Sequence, residues 1–348
     1  MNLWQFVVRR LLLLIPVFLG VTLITFLLVN SSGNPCTIYF NEKMTQEQLD
    51  RTIAKYGCDQ PVWTRYGLYM NNLVHGDLGT SAASNRPVID DIALFFPATL
   101  ELTSAAMFLA VLLAVPLGVV SATKKDTLPD HLGRAFALSG VSIPIFWFAL
   151  LLQLLMFSMD RAGYPSLPIS GAYSVTLIHE HPFLDTPSLQ PTHLLILDSL
   201  ILGDFTAFLD LAAHIILPAI ALAYTSMAIV TRMMRSSMLE VLRQDFVLSA
   251  RAKGVPERLV RKRHARANAL IPTVTVIGLA FGGLLAGAVL TESVFAWPGV
   301  GRWSTNSILA RDSVAIMGFS IVISVVYVLA NLVVDIVYAY LDPRIRLE

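Results

Sequence analysis

Charged residues in this chain are bunched, and between the bunches lie six charge-free windows: Leu11 to Val29, Leu102 to Thr123, Ala135 to Met159, Leu211 to Thr231, Ala267 to Thr291 and Ser313 to Val334. Each is close to the roughly 20 residues a helix needs to cross hydrocarbon. Only helices and closed barrels satisfy their own backbone in lipid, so the pattern predicts an all-α integral membrane protein with six transmembrane helices. The first window follows Arg9 and Arg10 as a secretory signal would. Its 19 residues, with no small-x-small cleavage site before Asn30, favour a retained span instead. In the third window, Ser142-Ile-Pro144 removes a backbone donor and crowds the preceding turn, which predicts a kink.

These windows divide the chain into an N-terminal transmembrane helix over 1–30, an extracytoplasmic segment over 31–97, a transmembrane core over 98–341 and a tail over 342–348. Within the segment, Leu49, Ile53, Tyr56, Val62, Tyr66 and Tyr69 recur at helical spacing, broken at Gly57 and Pro61. One or two short amphipathic helices follow, packed on the membrane surface or under a partner. Pro97 suits the first turn of the second span. Inside the core, an external loop over 160–210 is rich in proline and acid, and Leu194 to Leu202 is its one stretch apolar enough to dip into the interface.

Composition agrees with a membrane protein, at 55% hydrophobic and 14% charged residues with mean hydropathy +0.65, against about 25% charge in soluble domains. The net charge of +1 says little and implies no nucleic acid. Its distribution says more: 17 of the 25 Lys and Arg residues fall on one side, which predicts cytoplasmic termini. Cys36 and Cys58 both fall in the first external loop, where an oxidising compartment permits a disulfide without requiring one. Their spacing argues against a metal site. No Gly-x-x-x-x-Gly-Lys loop exists to cradle a nucleotide, so energy for transport must come from another chain.

Ten of the cationic residues lie in the loop over 232–266. That loop either sets topology by lying on anionic lipid or serves as a socket for a cytoplasmic engine. Asp245 to Lys253 reads as a short helix, with Asp245 suiting its N-terminus by charge and capping, Lys253 its C-terminal end, and Gly254 a left-handed stop. Ala250 and Ala252 are small enough to let another protein approach closely. A second helix restarts after Pro256, and Pro272 is expected to fix its angle to the fifth span.

Several strings then resemble one family, the membrane subunits of type I ABC importers in the dipeptide, oligopeptide and nickel permease group, closest to the first permease subunit of dipeptide importers. They are Thr231-Arg-Met-Met-Arg-Ser-Ser-Met-Leu-Glu-Val-Leu242, Ala250-Arg-Ala-Lys-Gly254, Ala267-Asn-Ala-Leu-Ile-Pro-Thr-Val-Thr-Val-Ile-Gly278 and Leu290-Thr-Glu-Ser-Val-Phe-Ala-Trp-Pro-Gly-Val-Gly-Arg302, with Gly76-Asp-Leu-Gly79 and Asp342-Pro-Arg-Ile-Arg346. The resemblance implies a multi-pass subunit of a prokaryotic inner membrane, without catalytic residues. It implies as partners a homologous second permease subunit, two cytoplasmic ATPase subunits that bind ATP and Mg, and an extracytoplasmic substrate-binding protein. Dipeptides or short oligopeptides lead as cargo, ahead of nickel chelates, oligosaccharides or haem. By this resemblance Leu248 to Gly254 with Ile271-Pro272 corresponds to the importer signature, with Leu248 and Ser249 replacing its Glu and first Ala, only Ala250 and Gly254 matching outright, and a longer spacing to Pro272. Asp245, Arg251 and Lys253 are left as charged candidates for the ATPase contact.

Glu292 and Arg302 are candidates for an external gate closed by their pairing, or Glu292 takes a cap or turn role. His214 reads as a satisfied polar residue and Asp335 as a helix-end anchor. An ion-coupled secondary transporter is the alternative from another class. It calls for mid-span carboxylates and inverted repeats, which the windows lack.

Overall fold

A computed structural model describes residues 3–31, 45, 47, 50, 53–54 and 57–341, and every regular element among them is a helix. In chain order these are α1 (Leu3–Ser31), α2 (Val62–Val74), α3 (Val88–Thr123), α4 (Leu128–Ser142), α5 (Ile145–Arg161), α6 (Leu195–Ile201), α7 (Phe205–Val241), α8 (Asp245–Ala252), α9 (Arg266–Gly287), α10 (Val289–Val294), α11 (Val300–Leu309) and α12 (Ser313–Leu341), with short helical turns between some of them. Five stretches among the described residues are long and apolar enough to cross a membrane, and α4 with α5 makes a sixth if counted together.

The third window is the main departure. Rather than one kinked span, α4 and α5 meet at a 107° bend. Ile143 (φ −86°, ψ 124°) and Pro144 (φ −60°, ψ 132°) are both extended. Proline lacks the N–H that would continue the first helix and pushes the residue before it out of the helical region, so the chain ends one helix and starts another. Tyr224 of α7 fills the elbow, donating to Ser139 Oγ at 2.8 Å and stacking on Phe148 at 4.3 Å between ring centres.

The centre is the pair α3 and α7. Ala106, Ala110 and Ala114 recur every fourth residue on α3 and are wholly buried, and Ala219 and Ala223 are buried on α7. Lipid supplies no hydrophobic contrast, so close approach through small side chains is what holds such helices together. Because α3 begins directly after Pro87, Pro97 lies inside the helix rather than in its first turn.

One end of the bundle is capped. The loop over 160–210 folds back onto it: Gly171 N–H donates to Phe295 O at 2.8 Å, Ile196 N–H to Glu101 at 2.7 Å, and Phe183, Leu184 and Leu195 join the same core cluster as α3 and α7. Helix α6 buries Leu195, Asp198 and Ser199 while Leu197, Leu200 and Ile201 stay exposed. Beside the cap, α2 starts after Pro61 and packs on α1 through Tyr66 and Tyr69 against Phe26. Leu49, Tyr56 and Cys36 lie outside the described residues, and so does the Cys36–Cys58 pairing.

Candidate functional site

At the other end, α8 lies between the end of α7 and the start of α9. Its stop signal is complete: Gly254 takes φ +74°, its N–H donates to Arg251 O at 2.9 Å, and Val255 N–H reaches back to Ala250 O at 3.2 Å. This is the Schellman arrangement, which needs a left-handed residue that glycine supplies without strain. At the other terminus Asp245 is the first helical residue and Gln244 occupies the cap position without a side-chain bond. Asp245 thus acts on the helix dipole by charge, not as a hydrogen-bonding cap.

The two faces of α8 differ. Val247 is wholly buried and Ala250 nearly so, packed with Ala122 from the end of α3, Met234, Met238 and Val241 from α7, and Val260, Ala265 and Ala269 at the approach to and start of α9. Ala250 is therefore turned into its own chain and is not available to a partner. On the outer face stand Asp245, Phe246, Leu248, Ser249, Ala252 and Lys253, with Phe246 39% and Leu248 54% exposed. The outer face of α8 thus presents apolar and charged side chains side by side.

Arg251 is engaged within the loop. It donates to Glu257 through Nε at 3.1 Å and Nη2 at 3.0 Å, and that carboxylate raises the Arg251 pKa above its ordinary value. Asp245 and Lys253 form no ion pair among the described residues, which leaves them as the charged groups the outer face presents.

After Pro256 the chain passes through a short turn and a π-helical stretch, Val260–Ala265, directly into α9. Pro272 sits inside α9, and the irregular backbone comes before it, in the π-helical stretch. Such a wide π-turn is a form often found at functional sites.

A brace that sequence reasoning missed supports this end. Asp130 at the start of α4, fully buried, accepts from Arg235 Nε at 2.6 Å and Nη2 at 2.9 Å, from Ser121 Oγ at 2.6 Å and from Asp126 N–H at 3.0 Å. It ties α3, α4 and α7 together beside α8. The one signal was Arg235, an arginine near the end of an apolar helix that needs a carboxylate somewhere.

At the capped end Glu292 is wholly buried and does not pair with the Arg302 side chain. It accepts from Thr99 Oγ1 at 2.6 Å and from the backbone N–H of Arg302 at 2.9 Å, while the Arg302 guanidinium donates to Ala296 O at 2.6 Å. Thr99 Oγ1 in turn accepts from Val300 N–H at 2.9 Å. The first turn of α11 leaves amide donors unsatisfied, and these two side chains supply the acceptors. A Cβ on Gly299 would lie 2.3 Å from Glu292 Cδ, so the carboxylate fits only against glycine. His214 is likewise engaged, through Nδ1 and Asp210 O at 2.8 Å. No group of three or more His, Cys, Asp or Glu able to hold a metal occurs among the described residues.

Compared with known proteins, residues 114–347 match the family described as binding-protein-dependent transport system inner membrane component, and residues 3–103 match its N-terminal counterpart. The dipeptide transport system permease protein DppB of Alkalihalophilus pseudofirmus is 42% identical over 342 residues, covering 98% of this chain and 99% of the relative. The probable D,D-dipeptide transport system permease protein DdpB of Escherichia coli is 41% identical over 346 residues, covering 99% and 98%. The oligopeptide transport system permease protein AppB of Bacillus subtilis is 34% identical over 343 residues, covering 98% and 99%.

Proposed function

Since the chain belongs to the family of binding-protein-dependent transport system inner membrane components, we propose that it is one pore-forming subunit of an ATP-driven importer of dipeptides or short oligopeptides, driven through α8. The cargo reading rests on the relatives, whose names refer to dipeptide, D,D-dipeptide and oligopeptide transport. The drive reading rests on one observation. Helix α8 is buried on one face among the ends of α3, α7 and α9 and open on the other.

The excess of Lys and Arg supports a cytoplasmic position for the α8 end. On this reading ATP and Mg are bound there by two partner ATPase subunits, as the resemblance to importer permeases implies. When those subunits close, a groove on one of them carries the outer face of α8 with it. Val247 and Ala250 pass the displacement to three spanning helices at once, because a packed core moves as a body rather than deforming. Only a difference in contact between the two ATPase states supplies the work. Asp130 and Arg235 keep the α4 start in step with α7.

On the opposite side, the cap built from the 160–210 loop is the surface offered to the substrate-binding protein. A homologous permease chain completes the pore. The apolar groove of about 580 Å³ between α3, α4, α5 and α7 offers that chain a helix-sized contact.

The experiment is peptide uptake into proteoliposomes, read together with co-purification of the ATPases, for Ala252→Trp. Bulk on the outer face should abolish both. Normal uptake with normal association would remove α8 from the drive.

A further inference from the structure

We propose that the basic pocket beside the π-turn binds the phosphate-bearing headgroup of an anionic phospholipid. This goes beyond the transport reading and does not depend on it. The pocket, about 240 Å³, is lined by Arg258, Arg261, Lys262 and Arg266 with Val119 of α3 as its apolar wall. The four cations come from the short turn, the π-helical stretch and the first residue of α9, and the wide π-turn brings all four to the lining of this one pocket. The nearby carboxylate, Glu257, is taken up by Arg251 and Arg261 at 3.0 and 3.5 Å. Arg258, Lys262 and Arg266 have no carboxylate partner among the described residues, and all three are exposed.

What selects a lipid over a soluble anion is the surface above the pocket. Val119 continues along α3 into Leu112, two turns away and 54% exposed, which is not among the residues lining the groove offered to the second permease chain. A cationic cradle at the foot of an exposed apolar stripe matches an amphiphile, with the headgroup held by charge and an acyl chain laid along α3. Glutamate or aspartate is absent from the pocket lining, so nothing there opposes an anion.

The test is native mass spectrometry of the full chain released from bilayers of mixed phosphatidylglycerol and phosphatidylcholine. Wild type should retain phosphatidylglycerol in preference to phosphatidylcholine. Arg258→Gln and Lys262→Gln should each weaken retention about five-fold and together about 25-fold, from the strength of one basic residue near an anionic surface. Arg243→Gln, an exposed cation at the same end but outside the pocket, should retain it as wild type does. If the double variant does not fold, the two single variants and the weakening of retention by salt carry the same test. Equal retention by Arg258→Gln and wild type would overturn the site. Equal retention of the two lipids, or displacement of the lipid by inorganic phosphate, would overturn its lipid specificity. Unchanged lipid retention with lost ATPase association would assign the pocket to a protein instead.

Discussion

Arg235 holds Asp130 through two hydrogen bonds of 2.6 and 2.9 Å, although 105 residues separate them and the Asp130 side chain is shut off from solvent. Removing Arg235 leaves the buried carboxylate with only Arg134, at 3.8 Å, as a cationic partner, while removing both charges leaves none to compensate. Arg235→Met alone should therefore lower stability by about 3 kcal/mol, and the pair Asp130→Leu with Arg235→Met should cost less than the sum of the single changes. Thermal unfolding in detergent measures this. Additive losses would mean that the contact is incidental.

Gly254→Val must force a β-branched residue to φ +74°, at about 1–2 kcal/mol. No atom lies within 4 Å of the position an added Cβ would take, so strain rather than a clash is the cause. The Schellman bonds should loosen and α8 should fray at its C-terminal end. Peptide uptake per ATP hydrolysed should fall, and Gly254→Asn, which tolerates the left-handed region, should fall less.

Glu292 and Arg302 separate two readings of the capped end. Arg302→Ala keeps the backbone N–H whose bond Glu292 accepts and loses only the guanidinium bond to Ala296 O, so it should cost about 1 kcal/mol and transport nearly as wild type. Glu292→Ala strips acceptors from Thr99 and from that N–H, at about 2 kcal/mol. A gate closed by the two side chains would instead make the variants alike.

Ala250→Trp and Ala252→Trp should fail differently. The first overfills the packing around Met234, Met238 and Val260, costing about 2 kcal/mol of stability. The second points outward and should leave the melting temperature unchanged while ATPase association is lost. Equal melting temperatures for the two would contradict the assignment of faces.

Much of this was legible in the residues. Six charge-free windows located the apolar helices, and Gly254 with Asp245 bounded α8, because lipid length and left-handed backbone are both local demands. What was not legible depended on distance in sequence. The inward turn of Ala250 follows from where Met234 and Val260 happen to lie, and its type alone fits either face. Nothing beside Asp130 in the chain names Arg235, 105 residues on, as its partner. Glu292 and Arg302, read as charges, suggested an ion pair, yet the carboxylate met an amide of the same residue. Pro144 was expected to bend a helix, and the extended Ile143 before it made a break instead.

The central claim is that the outer face of α8 touches an ATPase. A photo-crosslinking amino acid placed at Ala252, and separately at exposed Leu132 of α4 as a control, reads this directly in the assembled transporter. The account predicts an adduct with the ATPase subunit from position 252 whose yield changes on ATP addition, and none from position 132. Adducts with the ATPase from position 132 and none from position 252 would contradict it.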